Sequence, residues 1–235
     1  AVCTAMTSHP NLPYVAVGNE SGNIQIWDIV NKTIVNDISF SQSHQVTDIK
    51  FSPNGEWMAF GTDSHYLRIY DTQQFQEQQS FKTGYNGFIK NLCFSHNGEW
   101  MALSQSNRIS VYRFWYNIND LKKQKPKEWV LIGNYISHKQ DIVGVHFAAP
   151  SGIDRIQQRR IPRLFSVGFD NFVNEYNLHG SSFHFGLRLK YTFHLTQLST
   201  PTMVHFVPGI ALKEADLMTY CIENDKEDVV APKFD

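Results

Sequence analysis

His138, Ser166 and Asp170 have the side chains of a base, a nucleophile and an orienting acid, the set that drives acyl transfer when the three converge. Ser166 stands in an alternating apolar run and Asp170 in the turn after it, six residues before Tyr176. What this trio can do depends on the elements that carry it. Other chemical motifs are missing from the sequence. Its ten histidines have no Cys or His partner at zinc-finger spacing, and no His-Glu-x-x-His occurs. Gly84 and Gly87 are not followed by Lys-Ser or Lys-Thr, which excludes a phosphate loop, and no EF-hand loop is present. The expectation is a protein without cofactor, metal or enzymatic activity.

The elements follow from a phrase that returns. Phe51-Ser52-Pro53-Asn54-Gly55-Glu56-Trp57-Met58-Ala59 reappears 43 residues later as Phe94-Ser95-His96-Asn97-Gly98-Glu99-Trp100-Met101-Ala102. A period in the low forties is that of a four-stranded blade of the WD40 type, so the expected fold is an all-β propeller. Asn54-Gly55 and Asn97-Gly98 read as tight reversals between a first and a second strand. Third strands end on Trp27-Asp28, Tyr70, Tyr112 and Tyr176, and Trp57 and Trp100 read as further blade-core aromatics. Blades are placed near 1–40, 41–82, 83–136 and 137–195, with a fifth begun over 196–235. A closed ring takes about 4–8 blades, and four and a half would leave strand edges open. The expectation is an incomplete propeller, a portion of a longer polypeptide.

Tyr176 follows Tyr112 by 64 residues instead of 42 or 43. The surplus reads as two polar insertions, 114–128 and 148–160, which should leave the propeller as loops. Between residues 120 and 163 lie nine of the 21 Lys and Arg, against four acids, in a chain of net charge −1. Trp115, Lys122, Lys123, Lys125, Lys127, Arg155, Arg159, Arg160 and Arg163 are therefore the candidate partner contacts, suited to an acidic protein surface such as tubulin tails or an acidic subunit. Pro126 breaks the helix that a calmodulin target would need. The aromatics are not interleaved with the charges as stacking platforms, which argues against nucleic acid. No apolar run reaches about 18 residues, so no membrane-spanning helix is expected. Cys3, Cys93 and Cys221 each fall in expected strands and read as reduced core thiols, pointing to a cytosolic setting.

Two resemblances complete the reading. In WD40 blades a His before the first strand, a Ser on the second and an Asp in the next turn support the third-strand aromatic. His138, Ser166, Asp170 and Tyr176 fit that pattern, which implies a structural use for the trio. More particularly, Ser8-His9-Pro10, Val15-Ala16-Val17-Gly18 and Gly22-Asn23-Ile24-Gln25-Ile26-Trp27-Asp28 open a series of matching segments. Phe94 to Ala102, Ser137-His138-Lys139, Pro162 to Asp170 and Glu175-Tyr176-Asn177 follow in order. Together they resemble the second propeller of the cilia- and flagella-associated protein 251 family. That resemblance implies a non-catalytic scaffold in the axoneme of motile cilia. It would anchor a radial spoke base to the doublet microtubule, within a large complex with other calmodulin- and spoke-associated subunits. A soluble adaptor that presents peptides in a cytosolic regulatory or trafficking complex is the alternative.

Overall fold

The computed structural model describes residues 1–40, 44–85, 87–115, 127–148, 161–182, 184–196 and 201. Among the described residues, sixteen strands form four antiparallel sheets of four, each a meander in chain order. Blade 1 holds β1 (Cys3–Ser8), β2 (Tyr14–Asn19), β3 (Ile24–Asp28) and β4 (Thr33–Ile38). Blade 2 holds β5 (Val46–Phe51), β6 (Trp57–Thr62), β7 (Tyr66–Asp71) and β8 (Glu77–Lys82). Blade 3 holds β9 (Ile89–Phe94), β10 (Trp100–Gln105), β11 (Arg108–Trp115) and β12 (Glu128–Ile136). Blade 4 holds β13 (Ile142–Ala148), β14 (Arg163–Gly168), β15 (Phe172–Tyr176) and β16 (Leu189–His194). The first strands β1, β5, β9 and β13 touch in succession, so the blades stand in series as an incomplete β-propeller. The fifth blade expected over 196–235 lies outside the described residues apart from 196 and 201.

The recurring phrase is a turn in which each polar residue has a partner. Ser52 Oγ accepts the Trp57 N–H at 2.9 Å and donates to Asn54 Oδ1 at 2.6 Å. Ser95 does the same with Trp100 and Asn97, at 3.0 and 2.7 Å. Gly55 and Gly98 close the turn onto the Ser carbonyl with φ of 75° and 69°, a conformation that a Cβ disfavours. In blade 1, His9 takes the place of the serine. Its Nδ1 accepts the N–H groups of Asn11 and Leu12 at 3.1 and 3.0 Å, which leaves Nε2–H to donate to the Gly55 carbonyl of blade 2.

Apolar residues alternate along the middle strands, so blades 2 and 3 bury both faces and blades 1 and 4 the face toward a neighbour. One face of β2 and β3 offers Ala16, Ile24 and Ile26 to blade 2, and all three are fully buried. Ala59, Leu67 and Ile69 repeat this toward blade 3, and Ala102, Ile109 and Val111 toward blade 4. Each large aliphatic buried this way contributes roughly 1.5–3 kcal/mol. Close approach needs small residues. A Cβ on Gly18 would lie 2.6 Å from Val46, and one on Gly61 would lie 2.4 Å from Ile89.

The opposite face of each blade packs on the blade before it, and this corrects the reading of Trp27. Tyr70, Tyr112 and Tyr176 join the cores shared with the preceding blade. Trp27 has the same register, but no blade precedes it among the described residues, and it stays 37% exposed. Cys3 likewise is exposed at the start of β1 rather than a core thiol, whereas Cys93 is buried between blades 3 and 4. Burial pushes the Cys93 thiol far above its ordinary range. Cys221 lies outside the described residues.

Candidate functional site

Blade 4 brings the trio of the sequence together. His138 Nδ1 lies 2.9 Å from Asp170 Oδ1, and Nε2 lies 2.8 Å from Ser166 Oγ. Ser166 Oγ is 2.6 Å from the Tyr176 hydroxyl. The carboxylate can only accept, so Nδ1 carries the proton. With the ring neutral, Nε2 accepts from Ser166, whose oxygen accepts from Tyr176. Burial acts to raise the Asp170 carboxyl, but the hydrogen bonds from His138 and the Lys139 N–H outweigh it and hold the group below the usual carboxylate range. Burial also pushes the Tyr176 hydroxyl above its normal range, so it stays protonated and donates. Ser166 is fully buried and its oxygen is already engaged on both sides, so this geometry orients an aromatic and leaves no room for an acyl group. Asp28 has a comparable local use, accepting the N–H groups of Val30 and Asn31 in the turn after β3.

The candidate partner contacts divide. Lys122, Lys123, Lys125, Arg155, Arg159 and Arg160 lie outside the described residues. Lys127 is exposed just before β12. The ends of the first insertion are strand instead of loop, since Phe114 pairs with Trp129 and Trp115 with Glu128. Trp115 stacks on the Arg113 guanidinium at 3.9 Å. Arg163 is not a loop cation. It opens β14 and forks onto buried Glu175 at 2.8 and 3.0 Å, and Lys190 reaches the same carboxylate at 3.2 Å. Burial opposes ionisation of Glu175, but the two cations keep its carboxyl below the usual range.

The seams between blades hold a feature that the sequence reading missed. Asn36, Gln79 and Gly133 are register equivalents on fourth strands, paired with Ile26, Ile69 and Val111 respectively. At the seam of blades 2 and 3, the Gln79 carboxamide accepts the Trp129 N–H at 2.6 Å and donates to its carbonyl at 3.2 Å. The buried Trp129 ring packs among Trp57, Phe94 and Phe114. At the seam of blades 3 and 4, a Cβ on Gly133 would lie 2.4 Å from the Leu187 backbone, and Leu187 is buried there. In both seams the contact comes from the following blade at or just before its fourth strand, from Trp129 in β12 and from Leu187 two residues before β16. Blade 2 has only the short turn from Asp71 to Glu77, and the seam of blades 1 and 2 keeps an open groove of about 540 Å³. Aligning fourth strands and comparing hairpin lengths would have pointed to this seam.

The comparisons with known proteins agree with the blade geometry. The WD domain, G-beta repeat family matches residues 1–28 and 38–71. These two stretches are WD40 repeats. They correspond to most of blade 1 and to the first three strands of blade 2 with the turn leading in. No curated protein matches the chain. WD40 blades are protein-interaction platforms, and among the described residues no three His, Cys, Asp or Glu side chains gather as a metal set.

Proposed function

We propose that this chain is a non-catalytic scaffold of the motile-cilium axoneme. In this reading it anchors a radial spoke base to the doublet microtubule through protein contacts, beside other subunits of the calmodulin- and spoke-associated complex. The WD40 blades support the coarser part, a platform for protein partners. The observation that carries the finer part is the ordered set of segments resembling the cilia- and flagella-associated protein 251 family. These segments have defined structural jobs: His9 ties blade 1 to blade 2, the Phe94–Ala102 phrase turns β9 into β10, and His138, Ser166 and Asp170 seat Tyr176. The basic residues from Lys122 to Arg160 supply the charge that an acidic tubulin surface would meet.

Cross-linking with mass spectrometry on salt-washed axonemes tests the reading, with Lys122, Lys123, Lys125, Lys127 and Lys139 as probes. Links to tubulin and to spoke-base subunits are expected. Absence from washed axonemes, with links to soluble proteins instead, would replace the scaffold by the adaptor. Charge contacts screen within about 8 Å at physiological salt, so a single-peptide adaptor washes off where a many-sided scaffold stays.

A further inference from the structure

We infer that the groove between blades 1 and 2 is a binding site for an extended, uncharged peptide segment of a partner protein, anchored by one large apolar side chain. The molecule contains its own template. At the next seam the same place is taken by extended backbone from blade 3, with Gln79 reading the backbone N–H and C=O of Trp129 and the indole filling the space beneath. At the third seam it is taken by the backbone of Leu187 against Gly133. Asn36 stands at the Gln79 position, half-buried, and no described residue hydrogen-bonds to its carboxamide. A carboxamide offers one acceptor and two donors, and so can pair with an N–H and a C=O of an extended chain as Gln79 does.

The groove's other walls fit such an occupant. Tyr14 occupies the register position of Trp57, and Phe75 reaches to within 6.5 Å of it from the short turn of blade 2. Phe75 is the register counterpart of Trp129 and Leu187, and its buried ring fills the space beneath, but no described backbone group hydrogen-bonds to the Asn36 carboxamide. Leu12 and Val35 line the mouth, exposed at 45% and 40%. Among the described residues no Asp, Glu, Lys or Arg lines the groove, and its polar wall is made of His9, Thr72 and carboxamides, among them Asn11, Gln73 and Gln74. A charged segment would lose hydration there without a counter-charge, whereas a neutral one would not. The inference does not depend on the ciliary location.

Selection of phage-displayed random peptides on the full chain tests it. Binding of the enriched peptides is then measured to the wild type and to Asn36→Leu, Asn36→Gln, Leu12→Asp and Trp27→Ala. Uncharged sequences around a single Trp, Phe or Leu should be enriched. Asn36→Leu and Leu12→Asp should each weaken binding about tenfold, the loss of one or two hydrogen bonds or of an apolar contact. Asn36→Gln should retain it, and Trp27→Ala, on the far face of blade 1, should leave it unchanged. Leu12 is exposed, so its variant folds even if Asn36→Leu does not. Three results would overturn the inference. One is no enrichment, and another is peptides that bind Leu12→Asp as tightly as wild type. The third is hydrogen-exchange protection by the peptide elsewhere than at residues 9–14, 33–38 and 71–76.

Discussion

The face that blade 3 turns toward blade 4 carries Trp100, Ala102 and Val111. The face that blade 4 turns away from blade 3 carries Arg163, Phe165 and Glu175 at the same register positions. The first is an apolar, small-centred surface onto which a neighbour settles closely. The second puts a ring where the other blades have Ala16, Ala59 and Ala102. It also puts an ion-paired carboxylate where they have Ile26, Ile69 and Val111. The Arg163 guanidinium carbon sits 4.8 Å from the Phe165 ring centroid while the group forks onto Glu175, so the cluster satisfies itself. Tyr191 and Phe193 on β16 stay 47% and 39% exposed. A seam is thus built from small residues at its centre and large ones on the arriving blade, and the outer face of blade 4 departs from that recipe.

The comparison can be broken most forcefully at a seam. Trp129→Ala should remove about 3–5 kcal/mol of stability, because a fully packed indole leaves a cavity among Trp57, Phe94 and Phe114. Urea unfolding reads this, and an unchanged midpoint would mean the seam is not a packed core. Gly61→Ala should cost about 1–3 kcal/mol, since its Cβ would press on Ile89 at 2.4 Å. Phe165→Ala on the outer face of blade 4 should cost less than Gly61→Ala if the two faces differ as described. Gln79→Leu should cost about 1–3 kcal/mol by leaving the Trp129 N–H and carbonyl unpaired. A loss within about 0.5 kcal/mol would show that water replaces the carboxamide.

The pH dependence sharpens the contrast between groups. Asp170 and Glu175 both have folded carboxyls held below their ordinary values. The stability they contribute is full above the unfolded values of about 3.9 and 4.3 and is lost as pH falls through the folded ones. Asp48 acts in the opposite sense. Burial raises its carboxyl despite Lys50 at 3.3 Å, so it removes stability as pH rises from the unfolded value through the folded one. Denaturation midpoints measured across the acid range should fall toward low pH in the wild type and fall less steeply in Asp170→Asn. The smallest effect is expected of Trp27→Ala, within about 1 kcal/mol, because the residue faces no other blade among the described residues.

Much of this architecture is legible in the chain. The phrase from Phe51 to Ala59 carries its own turn chemistry, a serine to cap, an asparagine to accept and a glycine to reverse, so its return announces the blade period without any tertiary knowledge. The His138, Ser166, Asp170 and Tyr176 set is readable through its resemblance to the residues that support the third-strand aromatic in WD40 blades, although the insertion 148–160 separates His138 from Ser166. Trp27 was not readable. Its residue type and register match the buried tyrosines, but burial depends on a neighbour, which no local pattern encodes. The same is true of Arg163, whose place among basic residues suggested a free loop cation until β15 and β16 brought Glu175 and Lys190 beside it.

The sequence by itself determined the strands, the turns and the repeat, because these rest on alternation and on residues two to five apart. Only the tertiary structure decided which faces are covered. It also decided that a carboxamide on β8 reads the backbone of blade 3 while its counterpart on β4 faces an open groove. Those outcomes depend on how far the start of one blade's fourth strand reaches toward the blade before it. That distance is set by packing between segments some 50 residues apart, as Gln79 and Trp129 are, and it has no signature in either segment alone.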